Sequence, residues 1–130
     1  MKSNKGTTQE QAFFNEIDHA EIRALKNLET IQSGLSFGKI SLYTTVEPCL
    51  MYFSAIILTG IKQVAYAFED PMGDEIRCDA KKLPILYEQS NIQVVPGALR
   101  QKSLDLFYNF FNKETNLYWK DSCLEGYTLE

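Results

Sequence analysis

The sequence predicts an α/β domain with a partly parallel sheet. Three observations carry that expectation. Two β-rich segments, residues 40–46 and 63–68, flank an apolar run at residues 49–58. That run falls short of the ~18 apolar residues of a membrane span, and being apolar all round it suits a buried helix. A strand, a helix and a strand in that order form a βαβ unit, with parallel strands and a right-handed crossover. The length of 130 residues and the 45% hydrophobic content allow one domain with a sizeable core.

The elements follow in chain order. Residues 1–6 are polar and expected to be loose. Residues 9–17 suit a short helix with Phe13 and Phe14 as its apolar contacts. Asp18 is placed as the N-cap of a longer helix, on which Ala24, Leu25, Leu28 and Ile31 share one face of a 3.6-residue period. Asp18 and Glu21 also have the spacing of a capping box, so Glu21 has a purely local reading. After the strand at 40–46, Pro48 suits the first position of the next helix, which puts Cys49 in its first turn. The positive end of a helix favours a thiolate. Positions 49 and 52 fall on the same helix face. Gly60 closes that helix.

Beyond the second strand, Asp70-Pro71-Met72-Gly73 reads as a turn. Residues 80–89 read as a helix despite Pro84, residues 91–95 as a third strand, and Pro96-Gly97 as a breaker. Residues 99–112 read as an amphipathic helix with Leu104, Phe107 and Phe111 on one side. The tail carries Tyr118, Trp119 and Tyr127, aromatics suited to docking on the domain or on a partner chain. The expected organisation is a short N-terminal segment at 1–18, a domain at 19–112 and a packed tail at 113–130.

Charge and cysteine usage narrow the function classes. The net charge is −4, and Lys81-Lys82 and the Arg100/Lys102 pair are scattered. Phosphate-backbone binding is driven by clustered Lys and Arg, so nucleic acid is the less expected partner. The polar start lacks a signal-peptide core, and no segment is long and apolar enough for a membrane span. Three widely spaced cysteines give no disulfide framework, which suits a reducing, cytoplasmic setting.

Residues His19-Ala20-Glu21 and Thr44-Thr45-Val46-Glu47-Pro48-Cys49 resemble the signature of zinc deaminases, H-x-E followed by P-C-x-x-C. The resemblance extends over residues 19–111. Leu42 to Met51 is similar to the second motif of the cytidine and deoxycytidylate deaminase superfamily, nearest its tRNA-adenosine and guanine deaminase-like branch. Ala55-Ile56-Ile57 and Gly60-Ile61-Lys62-Gln63-Val64-Ala65-Tyr66-Ala67 are similar to the helix and strand that follow. Val95-Pro96-Gly97-Ala98-Leu99 and Phe110-Phe111 are similar to the last strand and closing helix.

The resemblance implies a cytidine deaminase-like three-layer αβα sandwich and a zinc-dependent hydrolytic deaminase. Catalytic zinc takes three protein ligands and leaves a fourth position open. His19 and Cys49 carry over as ligands, and Glu21 as the proton shuttle. The backbone of Thr45, Val46, Glu47 and Pro48 would line the substrate ring. The substrate would be a small nucleobase, nucleoside or nucleotide, and a homo-oligomer, as a dimer, is expected. The chain departs from the pattern at Tyr52, where the second cysteine belongs. Tyr52 and Cys78 are the candidates for the third donor; without one, zinc is expected to be weakly bound or absent. The family's helix and hairpin before H-x-E have no room in the 18 residues that precede His19, so a shortened N-terminus is expected. A catalytically inactive paralogue, serving as a structural or binding subunit, is the alternative.

Overall fold

A computed structural model describes residues 17, 19–31, 34, 36–72 and 84–130 of the chain. The elements, in order, are α1 (Ala20–Ile31), a 3-10 turn (Phe37–Lys39), β1 (Ser41–Val46), α2 (Leu50–Thr59), β2 (Gln63–Phe68), α3 (Ile85–Glu88), β3 (Gln93–Val95), α4 (Arg100–Phe111) and α5 (Cys123–Leu129). The expected helix at 9–17 and the cap at Asp18 lie outside the described residues, apart from Ile17, which is exposed.

The described strands form a sheet in the order β1-β2-β3, with both pairings parallel. Register aligns Leu42 with Val64 and Val64 with Val94, so one row of apolar side chains crosses the sheet. Period-2 alternation sends that row to a single face. There it packs with Leu25 of α1, Tyr52 and Ile56 of α2, and Ile61. The central strand β2 is covered most completely: Val64, Ala65, Ala67 and Phe68 are all buried. α4 packs against β2, and α5 against α4. The Phe68 ring meets Phe107 at 5.6 Å and Tyr127 at 5.8 Å between centroids.

The boundaries differ from the sequence expectation in instructive ways. α2 begins at Leu50, so Cys49 is its N-cap rather than a first-turn residue, and Pro48 stands before the cap. Cys49 keeps an extended ψ of 163° while its carbonyl accepts from Phe53 N–H at 2.8 Å, as a cap residue does. The helix is also not buried all round. Tyr52, Phe53, Ile56 and Ile57 face inward, but Leu58 is 63% exposed and Leu50 44%. An apolar sequence without periodicity hid that sidedness. Gly60 closes α2 as expected, with φ 82°.

The expected helix at 80–89 is described only over Ile85–Glu88, capped by Pro84, and residues 80–83 lie outside the described set. Proline disfavours helical backbone in the residue before it and lacks an N–H, so a helix starts there more readily than it continues. The third strand is Gln93–Val95, because Asn91 adopts φ 49°, which a strand does not allow. Leu99, at φ 60°, likewise delays α4 to Arg100. No described helix is long and apolar enough to cross a membrane.

The sidedness of α2 has a measurable consequence. Ile56 is fully buried in the cluster, so Ile56→Ala should lower unfolding free energy by about 2–5 kcal/mol. Leu58→Ala, on the exposed side, should change it by no more than about 0.5 kcal/mol. Urea denaturation of both variants checks this, and equal losses would place the two faces wrongly.

Candidate metal and proton-transfer site

Parallel pairing brings the ends of β1 and β2 to the same edge of the fold. β1 ends at Val46, and Glu47-Pro48-Cys49 turns directly into α2. α1 packs beside α2, and His19 stands immediately before its first residue. His19 Nδ1 comes within 3.7 Å of Cys49 Sγ, across 30 residues of sequence. Two helix starts therefore present an imidazole and a thiol to one point, and both helix dipoles favour negative charge there.

Glu21 follows in the first turn of α1. Its Oε1 is 3.4 Å from the Thr44 hydroxyl, which also donates to the Val46 carbonyl at 3.0 Å. Sequence reasoning named Thr45 and missed Thr44. Alternation was the available signal, since Thr44 shares its face with Leu42 and so points toward α1. Thr45 is exposed instead, and its carbonyl accepts from Ser103 Oγ of α4 at 2.6 Å.

The Glu47 and Pro48 side chains are buried. Glu47 binds the last residue of β2 and the loop that follows it. Its N–H donates to the Phe68 carbonyl at 2.8 Å, and its Oε2 accepts from Asp70 N–H at 3.2 Å.

Tyr52 occupies the position three residues after Cys49 and is 1% exposed. Burial, and then the negative charge of nearby Glu21 and Cys49, push its phenol well above the ordinary tyrosine value. It is a neutral hydroxyl packed in the core. Cys78 lies outside the described residues.

Zinc bonds thiolate sulfur at about 2.3 Å and imidazole nitrogen at about 2.0–2.1 Å, which sets a tetrahedral pair of donors roughly 3.6 Å apart. The Cys49–His19 pair matches that spacing. The donor count does not match a three-ligand catalytic centre: among the described residues no group of three His, Cys, Asp or Glu side chains could hold a metal. A phenol kept protonated is a weak third donor. The residues described therefore fit a two-donor zinc.

A second cluster, also missed from sequence, stands at the end of β2. Arg100, in the first turn of α4, grips Glu69 in a bidentate pair, with Nε 2.8 Å from Glu69 Oε2, and Tyr127 Oη donates to Oε1 at 2.6 Å. The Arg100 guanidinium lies 5.4 Å from the Phe68 ring centroid. The Arg100 hydrogen bonds, joined by that from Tyr127, hold the Glu69 carboxyl down to about 2.

An α/β fold with a histidine and a cysteine at two helix starts, and a glutamate in the first turn of the first helix, is the arrangement of a deaminase-type protein. Residues 2–68 match the family described as the cytidine and deoxycytidylate deaminase zinc-binding region, and the chain belongs to that family. It is 26% identical over 102 residues to the tRNA-specific adenosine deaminase of Buchnera aphidicola subsp. Baizongia pistaciae, covering 78% of this chain and 63% of that protein. It is 26% identical over 99 residues to the corresponding protein of Rickettsia typhi, covering 76% and 67%. Among solved structures it resembles a guanine deaminase from Nitrosomonas europaea, with TM-score 0.55 and 25% identity over 75% of this chain and 59% of that one. A point mutant crystallised with 8-azaguanine is similar at TM-score 0.53 and 28% identity, covering 75% and 59%. The chain thus spans about six-tenths of the length of most of these relatives.

Two outcomes follow from this geometry. If burial keeps the phenol protonated, Tyr52→Phe should leave bound zinc per chain unchanged, and a fall in metal content by mass spectrometry would make the phenol a donor. Glu69 has a lowered carboxyl, so its contribution to stability is present above its ordinary value of 4.5 and is lost as pH falls toward 2. Urea denaturation across pH 7 to 3 should show that loss in the wild type and a shallower one in Glu69→Gln.

Proposed function

We propose that this chain hydrolytically deaminates a small nucleobase, nucleoside or nucleotide, with zinc held by His19 and Cys49 and protons moved by Glu21. The observation that carries the proposal is the 3.7 Å approach of His19 Nδ1 to Cys49 Sγ, with Glu21 in the first turn of α1. The relatives named for adenosine and guanine deamination support the reaction class. When bound, the metal supplies the Lewis acidity that makes water a nucleophile at neutral pH.

The remaining work falls to the protein. Glu21 takes one proton from the attacking water and delivers it to the ring nitrogen, then passes the second to the departing amine. Water and the C–NH2 group become C=O and ammonia. Thr44, beside Glu21, fixes where that carboxylate sits. The backbone of residues 45–48 is our choice for the wall against the substrate ring. A net charge of −4 favours a small substrate over a polynucleotide. A homodimer in the cytoplasm belongs to the same proposal, with partly exposed Phe110 and Trp119 as candidate contacts. Phe53 and Ile57 of α2 are buried in the core and offer no such contact.

One observation favours a second reading. Tyr52 places a protonated phenol where the family signature has a thiolate, which suits an inactive binding subunit that keeps the fold.

The deciding experiment measures ammonia release from free bases, nucleosides and nucleotides by zinc-supplemented protein. Glu21→Gln should reduce any rate by about 10²–10⁴-fold. Zinc should be substoichiometric in the native protein and rise in Tyr52→Cys. No ammonia from any substrate, with or without that substitution, would leave the subunit reading.

A further inference from the structure

The first turn of α4 staples the ends of two strands. Ser103 and Arg100 lie three apart on one helix face. Ser103, buried, donates to the Thr45 carbonyl of β1. Arg100 grips Glu69, the residue after β2, with two parallel hydrogen bonds. α5 adds a third attachment, since the Tyr127 ring lies tilted against Phe68 and its hydroxyl donates to the same Glu69 carboxylate. Between the stapled ends runs Glu47-Pro48-Cys49. Glu47 is tied to Phe68 and Asp70, the neighbours of Glu69 on either side. A continuous set of bonds therefore leads from Tyr127, near the C-terminus, through Glu69 and Asp70 to Glu47, two residues before Cys49.

We propose that Glu69, Arg100 and Tyr127 are positioning residues for Cys49: they fix the loop after β2 and, through Glu47, the place of the thiol opposite His19. The proposal rests on His19 and Cys49 being the reactive centre. The clasp acts through charge and direction rather than bulk. Arg100 supplies a planar fork that a lysine does not reproduce. The low carboxyl value of Glu69 keeps the clasp formed throughout neutral and mildly acidic conditions.

The test compares wild type with Tyr127→Phe, which keeps the ring, and Glu69→Gln, which keeps the shape. Two signals are read well below the melting temperature. The first is the cobalt–thiolate absorption band on titration with Co²⁺. The second is the alkylation rate of Cys49 by iodoacetamide, resolved by peptide mass spectrometry. Cys123, exposed on α5, is the internal reference. Both variants should weaken cobalt binding by roughly tenfold, the low end for groups that orient a metal ligand from outside. Both should speed Cys49 alkylation while the Cys123 rate stays constant. Arg100→Lys should resemble Glu69→Gln, and Glu69→Asp should recover part of the effect. Unchanged Cys49 alkylation in both main variants, with only a lowered melting temperature, would overturn the proposal and leave the clasp purely structural. A wild type that gives no cobalt band, but whose Cys49 rate still responds to Glu69→Gln, would sustain the positioning role and refute the metal reading alone.

Discussion

Everything at the site depends on the parallel pairing of β1 and β2. Parallel strands need a crossover, and here it is α2, which must start where β1 ends. That single constraint puts Cys49 at a helix start on the same edge as the loop after β2. Because α1 packs beside α2 through Leu25, Tyr52 and Ile56, the residue before α1 is brought to the same edge. His19 therefore meets Cys49 without any contact between them in sequence. If β1 slipped by one residue, Thr44 would turn away from Glu21 and Leu42 would leave the core face, so register fixes chemistry and packing together.

The same packing explains the tension at Tyr52. The residue stands on the same face of α2 as Cys49 and is also a member of the central hydrophobic cluster. A cysteine there would provide a soft, anionic donor. It would also remove an aromatic ring from a site with almost no solvent access. Large-to-small replacements in a core cost about 3–5 kcal/mol when the ring is not replaced. Metal binding would have to offset that loss, so at this position donor chemistry and core volume compete directly. The chain resolves the competition in favour of volume, and the phenol's reluctance to ionise follows from the same burial.

How much of this the sequence discloses depends on how local each signal is. Residues 63–68 were readable to the residue, because β-branched, aromatic and small apolar residues follow a glycine and precede Glu-Asp-Pro. Residues 91–95 were not, since the left-handed backbone at Asn91 is a choice the residue type permits without requiring. The His19–Cys49 meeting was legible only through the family resemblance: nothing in residues 19 and 49 alone brings them together. The clasp was illegible. Glu69 finds Arg100 across 31 residues and Tyr127 across 58, and a lone Glu, Arg or Tyr is read as a solvated side chain until its partners are known. α5 itself, seven residues that include a glycine, has too little periodicity to announce a helix. Its place is set by tertiary contacts, as is usual for short helices.

Long-range polar contacts of this kind act where the backbone is least constrained by the sheet. Inside a strand, ladder hydrogen bonds already fix each residue. Past the last ladder bond, a segment is held only by what its side chains and neighbours provide. Val46 and Phe68 are the last paired residues of their strands, and the first residues beyond them are Glu47 and Glu69. Both carboxylates help to hold the chain: Glu47 accepts from Asp70 N–H through Oε2, and Glu69 accepts from Arg100 and Tyr127. A carboxylate suits that task better than an apolar side chain. It takes several directed bonds at once, and each bond to an ionised group is stronger than its neutral counterpart. Two glutamates at equivalent strand ends thus continue, by side chain, the order that the ladder can no longer impose, and the turn that carries Cys49 begins where they hold it.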